Sequence, residues 1–178
     1  MYKMIDEKMK ALGIDDYYII GSYARSILTK ENKKPKDIDL IIPNKNDLLM
    51  KKLSKYIIYS RKNFIRIKYD KFDMLCIELD SKDNINVEVE DIVFSSTFSF
   101  EHMYYHNKKL YFNKNIFSSE KEIINELIKK ECSIVNFQKP LRLFNSLYHV
   151  LGHIKKYEKR GFKINGKIRK ELYIKGGY

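Results

Sequence analysis

The chain has 178 residues, with 35 Lys or Arg against 23 Asp or Glu and a formal net charge of +12. That length can hold one full hydrophobic core with a small appendage, and no uncharged apolar run approaches the roughly 18 residues of a membrane span. Cys76 and Cys132 lie far apart among apolar neighbours, as expected of buried thiols in a reducing compartment rather than of a disulfide or zinc pair. The N-terminus lacks the apolar stretch of a signal peptide, so a cytoplasmic location is expected.

In chain order, Met4, Ile5, Met9 and Leu12 recur at helical spacing, and Gly13 is placed to stop that helix. Tyr17-Tyr18-Ile19-Ile20 reads as a strand closed by Gly21-Ser22, with a helix over Ser22 to Thr29. A polar loop with Lys30, Lys33, Lys34 and Lys36 leads into a second strand, Ile38-Asp39-Leu40-Ile41-Ile42. Residues two apart on a strand share a face, so Asp37 and Asp39 aim at a common point. Adjacent carboxylates repel unless a cation sits between them, and a hard divalent ion, Mg²⁺ above all, suits oxygen ligands. A glycine turn at a helix N-terminus offers backbone N–H groups to a phosphate.

Asp47 to Tyr56 predicts a helix whose stripe is Leu48, Leu49, Leu53 and Tyr56. Phe64–Tyr69 and Phe72–Leu79 read as strands around an Asp70-Lys71 turn, and Ile85–Glu90 alternates as a third. Three such strands on short turns predict an antiparallel meander. The aromatic-rich stretch Ser99–His106 predicts a short helix covering the sheet. His102/His106 and His149/His153 stand four apart, a metal-pair spacing on a helix, with no third ligand evident. Ser119 and Glu122 have the form of a capping box before Ile123, Ile124, Leu127 and Ile128. Pro140 suits the first turn of a further helix, with Phe144, Leu147, Tyr148, Leu151 and Ile154 as its stripe. Residues 139–178 carry eleven Lys or Arg against Glu158 and Glu171, a patch that attracts polyanions. Lys155, Lys156, Lys159 and Arg160 on the polar side of that helix are the candidate nucleic-acid contacts, and from Gly161 the chain reads as a basic tail or hairpin.

Gly21-Ser22-Tyr23-Ala24-Arg25, a loop, and then Asp37-Ile38-Asp39-Leu40-Ile41-Ile42 resemble the DNA polymerase beta-like nucleotidyltransferase superfamily, over about residues 15–95. The resemblance implies an α+β fold: a mixed sheet of about five strands flanked by helices, with a catalytic domain over 1–110 and a helical, basic region over 111–178. It implies that Gly21 and Ser22 bind the triphosphate, with Arg25 adding charge. It implies that Asp37 and Asp39 hold two Mg²⁺ ions, for which Mn²⁺ can substitute, and that a third acid on a later strand completes the site. The family pattern favours Glu88, within Val87-Glu88-Val89, with Asp73 as the rival. Ser26 departs from the Gly that many relatives carry after the Arg. The implied reaction moves a nucleoside monophosphate from an NTP or dNTP to an acceptor hydroxyl and releases pyrophosphate. The basic C-terminal region favours a nucleic-acid end over a small molecule or a protein as acceptor. A catalytically inactive nucleic-acid-binding subunit is the competing reading.

Overall fold

The computed structural model describes residues 2–31, 36–43, 47–61, 64–77, 88–135 and 147–164. They belong to two compact units, one formed by Met1–Asp91 with Met103–Tyr111 and the other by Ile92–His102 with Phe112–Tyr178.

In the first unit, α1 (Lys3–Leu12) buries Ile5 and Met9 and ends where Gly13, at φ 76°, returns its N–H to the last turn. β1 (Tyr18–Ile20) runs directly into α2 (Gly21–Leu28), followed by β2 (Ile38–Pro43) and α3 (Asp47–Leu53). A single 3-10 turn then leads to β3 (Ile57–Arg61), β4 (Phe64–Tyr69) and β5 (Phe72–Ile77). After α4 (Val89–Val93), the hairpin of β6 (Met103–His106) and β7 (Lys109–Phe112) closes the unit. Its two-residue turn places Asn107 and Lys108 at φ 48° and 64°, the left-handed geometry that matches hairpin twist.

These strands form one sheet in the order β3-β4-β5-β2-β1-β6-β7. β2 and β5 are parallel, while β1 pairs antiparallel with both β2 and β6. β2 is central and buried on both faces, which is why Ile38, Leu40, Ile41 and Ile42 form a nearly continuous apolar run.

The sheet has seven strands where about five were expected. The antiparallel meander exists, but it is β3-β4-β5 and begins one strand earlier than the sequence indicates. Residues 88–93 are not its last strand. Val89 and Val93 are both buried and stand four apart, so this stretch follows helical rather than alternating spacing. The helix expected over Ser99–His106 is instead a 3-10 turn at Ser99–Glu101 followed by β6. Tyrosines favour a strand, and the free edge of β1 gives this one a partner.

In the second unit, α5 (Glu120–Lys129), β8 (Glu131–Cys132), α6 (Leu147–Glu158) and β9 (Lys163–Ile164) surround a core of Phe98, Phe100, Cys132, Ile134, Ile154 and Tyr157. The Tyr157 ring meets Phe98 and Phe100 edge-on at 4.9 and 5.0 Å, and its hydroxyl donates to Glu101 at 2.7 Å. Ser119 is the N-cap of α5, as expected, but its hydroxyl makes no cap bond; Glu122 turns back to accept from the Ser118 N–H and hydroxyl at 2.8 and 2.6 Å. The start of the expected basic tail is ordered, since β9 pairs in parallel with β8. Pro140, Arg142 and Phe144 lie outside the described residues, as do 165–178. Cys76 and Cys132 are both free and buried, and burial pushes each thiol up to about 12, so both stay protonated.

Phe100 is fully buried among rings, so Phe100→Ala should cost about 3–5 kcal/mol. The fall in urea midpoint, at an unchanged slope, measures that cost.

Candidate active site

Asp39 stands at the second position of β2, opposite Ile20 at the end of β1. Gly21, the next residue, turns the chain into α2 at φ 66°. A Cβ at this position would lie 2.5 Å from Asp39 Oδ2. Glycine is therefore required twice, for the left-handed conformation and for the space the carboxylate fills. The first N–H groups of α2 have no partners within the helix, and they follow immediately on this turn. Ser22 opens the helix, and its hydroxyl makes no hydrogen bond among the described residues, whereas its carbonyl accepts from Ser26 Oγ at 3.2 Å.

Across the parallel β2–β5 pair, Asp39 is in register with Asp73. Asp73 is only 8% exposed and is gripped by Arg66 from β4, with Nε donating to Oδ1 at 2.8 Å and Nη2 to Oδ2 at 2.6 Å. Asp37 immediately precedes β2. Burial, then the charges of Asp37 and Asp73, push the Asp39 carboxyl up to about 6, against the opposing pull of Arg25 and Arg66. Three acids and two arginines thus act on one another beside a glycine turn. This surplus of partly desolvated negative charge suits a cation. Among the described residues, however, no three His, Cys, Asp or Glu side chains stand close enough to form a ready metal cage. Both oxygens of Asp73 are engaged by Arg66.

The structure brings together Gly21, Arg25, Asp37, Asp39 and Asp73. Glu88 is exposed at the entrance to α4, its N–H donating to Asp91 Oδ2 at 3.1 Å. Residues 85–87, the start of the strand expected over Ile85–Glu90, lie outside the described residues. Glu90 accepts from the Tyr104 hydroxyl at 2.9 Å. Arg66 is the residue that sequence reasoning missed. Its signal was available, since alternation along Phe64–Tyr69 puts Arg66 on one face with Lys68, beside the strand that carries Asp73.

Among the described residues His102 and His106 do not form a metal pair, and the side chain of His149 lies outside them. His102 is buried, its Nε2 2.7 Å from the Ser96 carbonyl, and burial holds its pKa below the usual range. His106 lies on β6, stacked on Tyr18 at 4.2 Å and 2.7 Å from Asp16. Lys155, Lys156, Lys159 and Arg160 are all exposed along and just beyond the end of α6. Lys156 and Arg160 lie 5.9 and 5.6 Å from the Tyr157 ring.

Two outcomes follow from the packing at Gly21 and Asp39. Gly21→Ala should lower stability by about 1–3 kcal/mol, the cost of a strained left-handed residue, and displace the carboxylate. The Asp39 pKa is higher in the folded chain than in the unfolded one. The metal-free protein therefore loses stability as pH rises from about 4 to about 6, and the full loss persists above that window. Asp39→Asn should raise metal-free stability by about 1–3 kcal/mol at pH 7.5, with the gain vanishing near pH 4. Thermal denaturation in chelator across that range tests the sign.

No family model matches the sequence, and no curated protein does. Solved structures do. A CCA-adding enzyme in an apo form superposes with a TM-score of 0.62 at 12% identity, covering 98% of this chain and 43% of that one. A Thermotoga maritima CCA-adding enzyme complexed with tRNA gives 0.58 at 13%, covering 96% and 41%. A tRNA nucleotidyltransferase complexed with a primer tRNA and an incoming ATP analogue gives 0.57 at 16%, covering 95% and 48%. The chain spans less than half the length of each of these proteins. Among the described residues no helix is long and apolar enough to cross a membrane. With its mixed sheet, its glycine turn into α2 and Asp39 on β2, the chain shares the fold of these solved tRNA nucleotidyltransferases.

Proposed function

We propose that the chain transfers a nucleoside monophosphate from a nucleoside triphosphate to a hydroxyl at a nucleic-acid end, with a tRNA 3′ end as the favoured acceptor. The acceptor oxygen attacks the α-phosphorus, the bond to the bridging oxygen breaks, and pyrophosphate leaves with that electron pair. The observation that carries the reading is the contact of Asp39 with the Gly21 turn, which makes the acids and the phosphate-facing helix start a single site. The fold neighbours that hold tRNA or an ATP analogue support the choice of substrates.

In this reading Asp37 and Asp39 hold Mg²⁺, and Asp73 takes the place first assigned to Glu88. Bound there, the ion supplies charge neutralisation at the triphosphate and lowers the pKa of the acceptor hydroxyl. The Ser22 hydroxyl and the first N–H groups of α2 orient the outer phosphates. Arg25 offsets charge on the same side, as it already does for Asp39. Arg66 sets the cost of engaging Asp73, because a cation and a bidentate guanidinium compete for the same two oxygens.

That same ion pair favours a second reading, an inactive module that binds nucleic acid. One assay separates the two. The protein is incubated with Mg²⁺, nucleotides labelled at the α-phosphate, and tRNA lacking its 3′ terminus. Transfer should be lost by at least ~100-fold in Asp39→Ala and Asp73→Asn and be nearly unchanged in Glu88→Gln. Full activity in Asp39→Ala would sink the proposal, and loss in Glu88→Gln would return the third acid to Glu88. Label on a small molecule or on protein would keep the chemistry and change the acceptor. Binding of tRNA without any transfer would establish the inactive module.

The exposed cations of α6 are proposed to meet phosphates. Lys155→Glu with Lys159→Glu should weaken tRNA binding about tenfold and flatten the dependence of log K on log salt by about 1–2. Filter binding at several salt concentrations reads both quantities.

A further inference from the structure

A strip of aromatic rings shares the sheet face that carries Asp39. Ile20 of β1 and Asp39 of β2 are partners in register, so their side chains leave the same face. Tyr18, two residues before Ile20, lies on that face too, and its partner on β6 is His106. Tyr104, two residues before His106, points the same way. Continuing the antiparallel register by one residue sets Tyr104 opposite Ile20. Tyr111 of β7 stacks on Tyr104, with centroids 5.1 Å apart and an interplanar angle of 6°. One cross-strand row thus runs Asp39, Ile20, Tyr104, Tyr111. With neighbouring strands about 4.8 Å apart, Asp39 and Tyr111 are separated by on the order of 14 Å along it.

The far end of this row is open. Tyr104 is 5% exposed and fixed by its hydroxyl, which donates to Glu90 at 2.9 Å. Tyr111 is 39% exposed, so stacking on Tyr104 leaves much of its ring to solvent. β7 alternates accordingly, with Lys109 and Tyr111 exposed and Leu110 and Phe112 half-buried. Lys109 therefore lies on the Tyr111 side of the strand. Two acids border the strip, and each already has a partner. Glu90 takes the Tyr104 hydroxyl, and Asp16 lies 2.7 Å from His106 Nε2. Packing accounts for Tyr104, and it leaves the outer ring of Tyr111 uncovered.

We propose that this row is a stacking platform for the single-stranded end of the nucleic-acid acceptor, with a base on Tyr111 and Lys109 on an adjacent phosphate. The proposal rests on the nucleotidyl-transfer reading and adds where the acceptor strand lies. Every base has a π-face, and stacking on an aromatic ring tolerates any sequence. Unpaired RNA ends present such bases splayed for contact. At about 3.4 Å per stacked nucleotide, the row spans roughly four nucleotides, and fewer when they are splayed. The base on Tyr111 is thus an earlier one than the nucleotide whose hydroxyl reacts beside Asp39.

The probe is a short single-stranded RNA bound to the full chain with Mg²⁺ and no nucleotide, and its annealed duplex is the control. Fluorescence anisotropy reads the affinity. Tyr111→Ala, an exposed substitution, should weaken single-strand binding about fivefold or more and leave its salt dependence unchanged. Tyr111→Phe should restore the affinity, and duplex binding should be the same in all three proteins. With 5-iodouridine at successive positions, light should cross-link the strand to the β7 peptide from a position before the terminal nucleotide. Equal affinity in Tyr111→Ala, an equal loss for the duplex, no rescue by Tyr111→Phe, or cross-links confined to α6 would each overturn the proposal. No part of this test requires transfer. A chain that passes it without transferring label keeps the platform and loses the enzyme reading, and an active chain that fails it keeps only the enzyme reading.

Discussion

The contact between Gly21 and Asp39 is the constraint on which the rest of the candidate site depends. A strand that ends in a left-handed residue can start a helix immediately, and the space left by the missing side chain admits a carboxylate from the neighbouring strand. One residue thereby sets the direction of α2, the position of Ser22 and the location of the central acid. Any side chain at Gly21 would drive the acid and the helix start apart. The parallel pairing of β2 and β5 then brings Asp73 into register with Asp39, so the second constraint is topological. β5 can lie beside β2 only because the β3-β4-β5 meander places its last strand against the centre of the sheet.

This arrangement carries a cost in the absence of a cation. Asp39 is desolvated beside two other acids, and its carboxyl is pushed up to about 6. Asp73 is instead paired with Arg66, whose two N–H groups match its two oxygens. The site is therefore balanced between internal and external positive charge. Arginine neutralises one acid well and the other incompletely, which leaves Asp39 as the group with most to gain from a divalent ion.

Much of this site was legible in the sequence because the signals were local. Gly-Ser after an apolar run and Asp-x-Asp opening another fix a turn and a shared face without any tertiary knowledge. Gly13 and the Asp70-Lys71 turn were legible for the same reason, and Asp70 does adopt a φ of 56°. Which acid faces Asp39 across the sheet was not legible, because it depends on which strand lies next to β2. Val87-Glu88-Val89 alternates as well as Phe72-Asp73-Met74 does, and only pairing distinguishes them. β3 was missed because Ile57–Arg61 follows the α3 stripe without a Gly or Pro to mark the change. The β6–β7 hairpin was missed because Asn107-Lys108 lacks the glycine that usually announces such a turn.

The second unit contributes a different property. Its core of Phe98, Phe100, Ile154 and Tyr157 fixes one face of α6 inward, so the opposite face must carry the lysines outward whatever they bind. The central claim rests on the first unit, and it is that the acids beside Gly21 form a cation site. The most direct measurement is a Mn²⁺ titration followed by electron paramagnetic resonance, with a non-hydrolysable triphosphate present, for the native chain, Asp39→Asn and Asp73→Asn. Stoichiometric Mn²⁺ binding that is lost in both variants is the predicted result. Binding of equal strength in all three proteins would contradict the account.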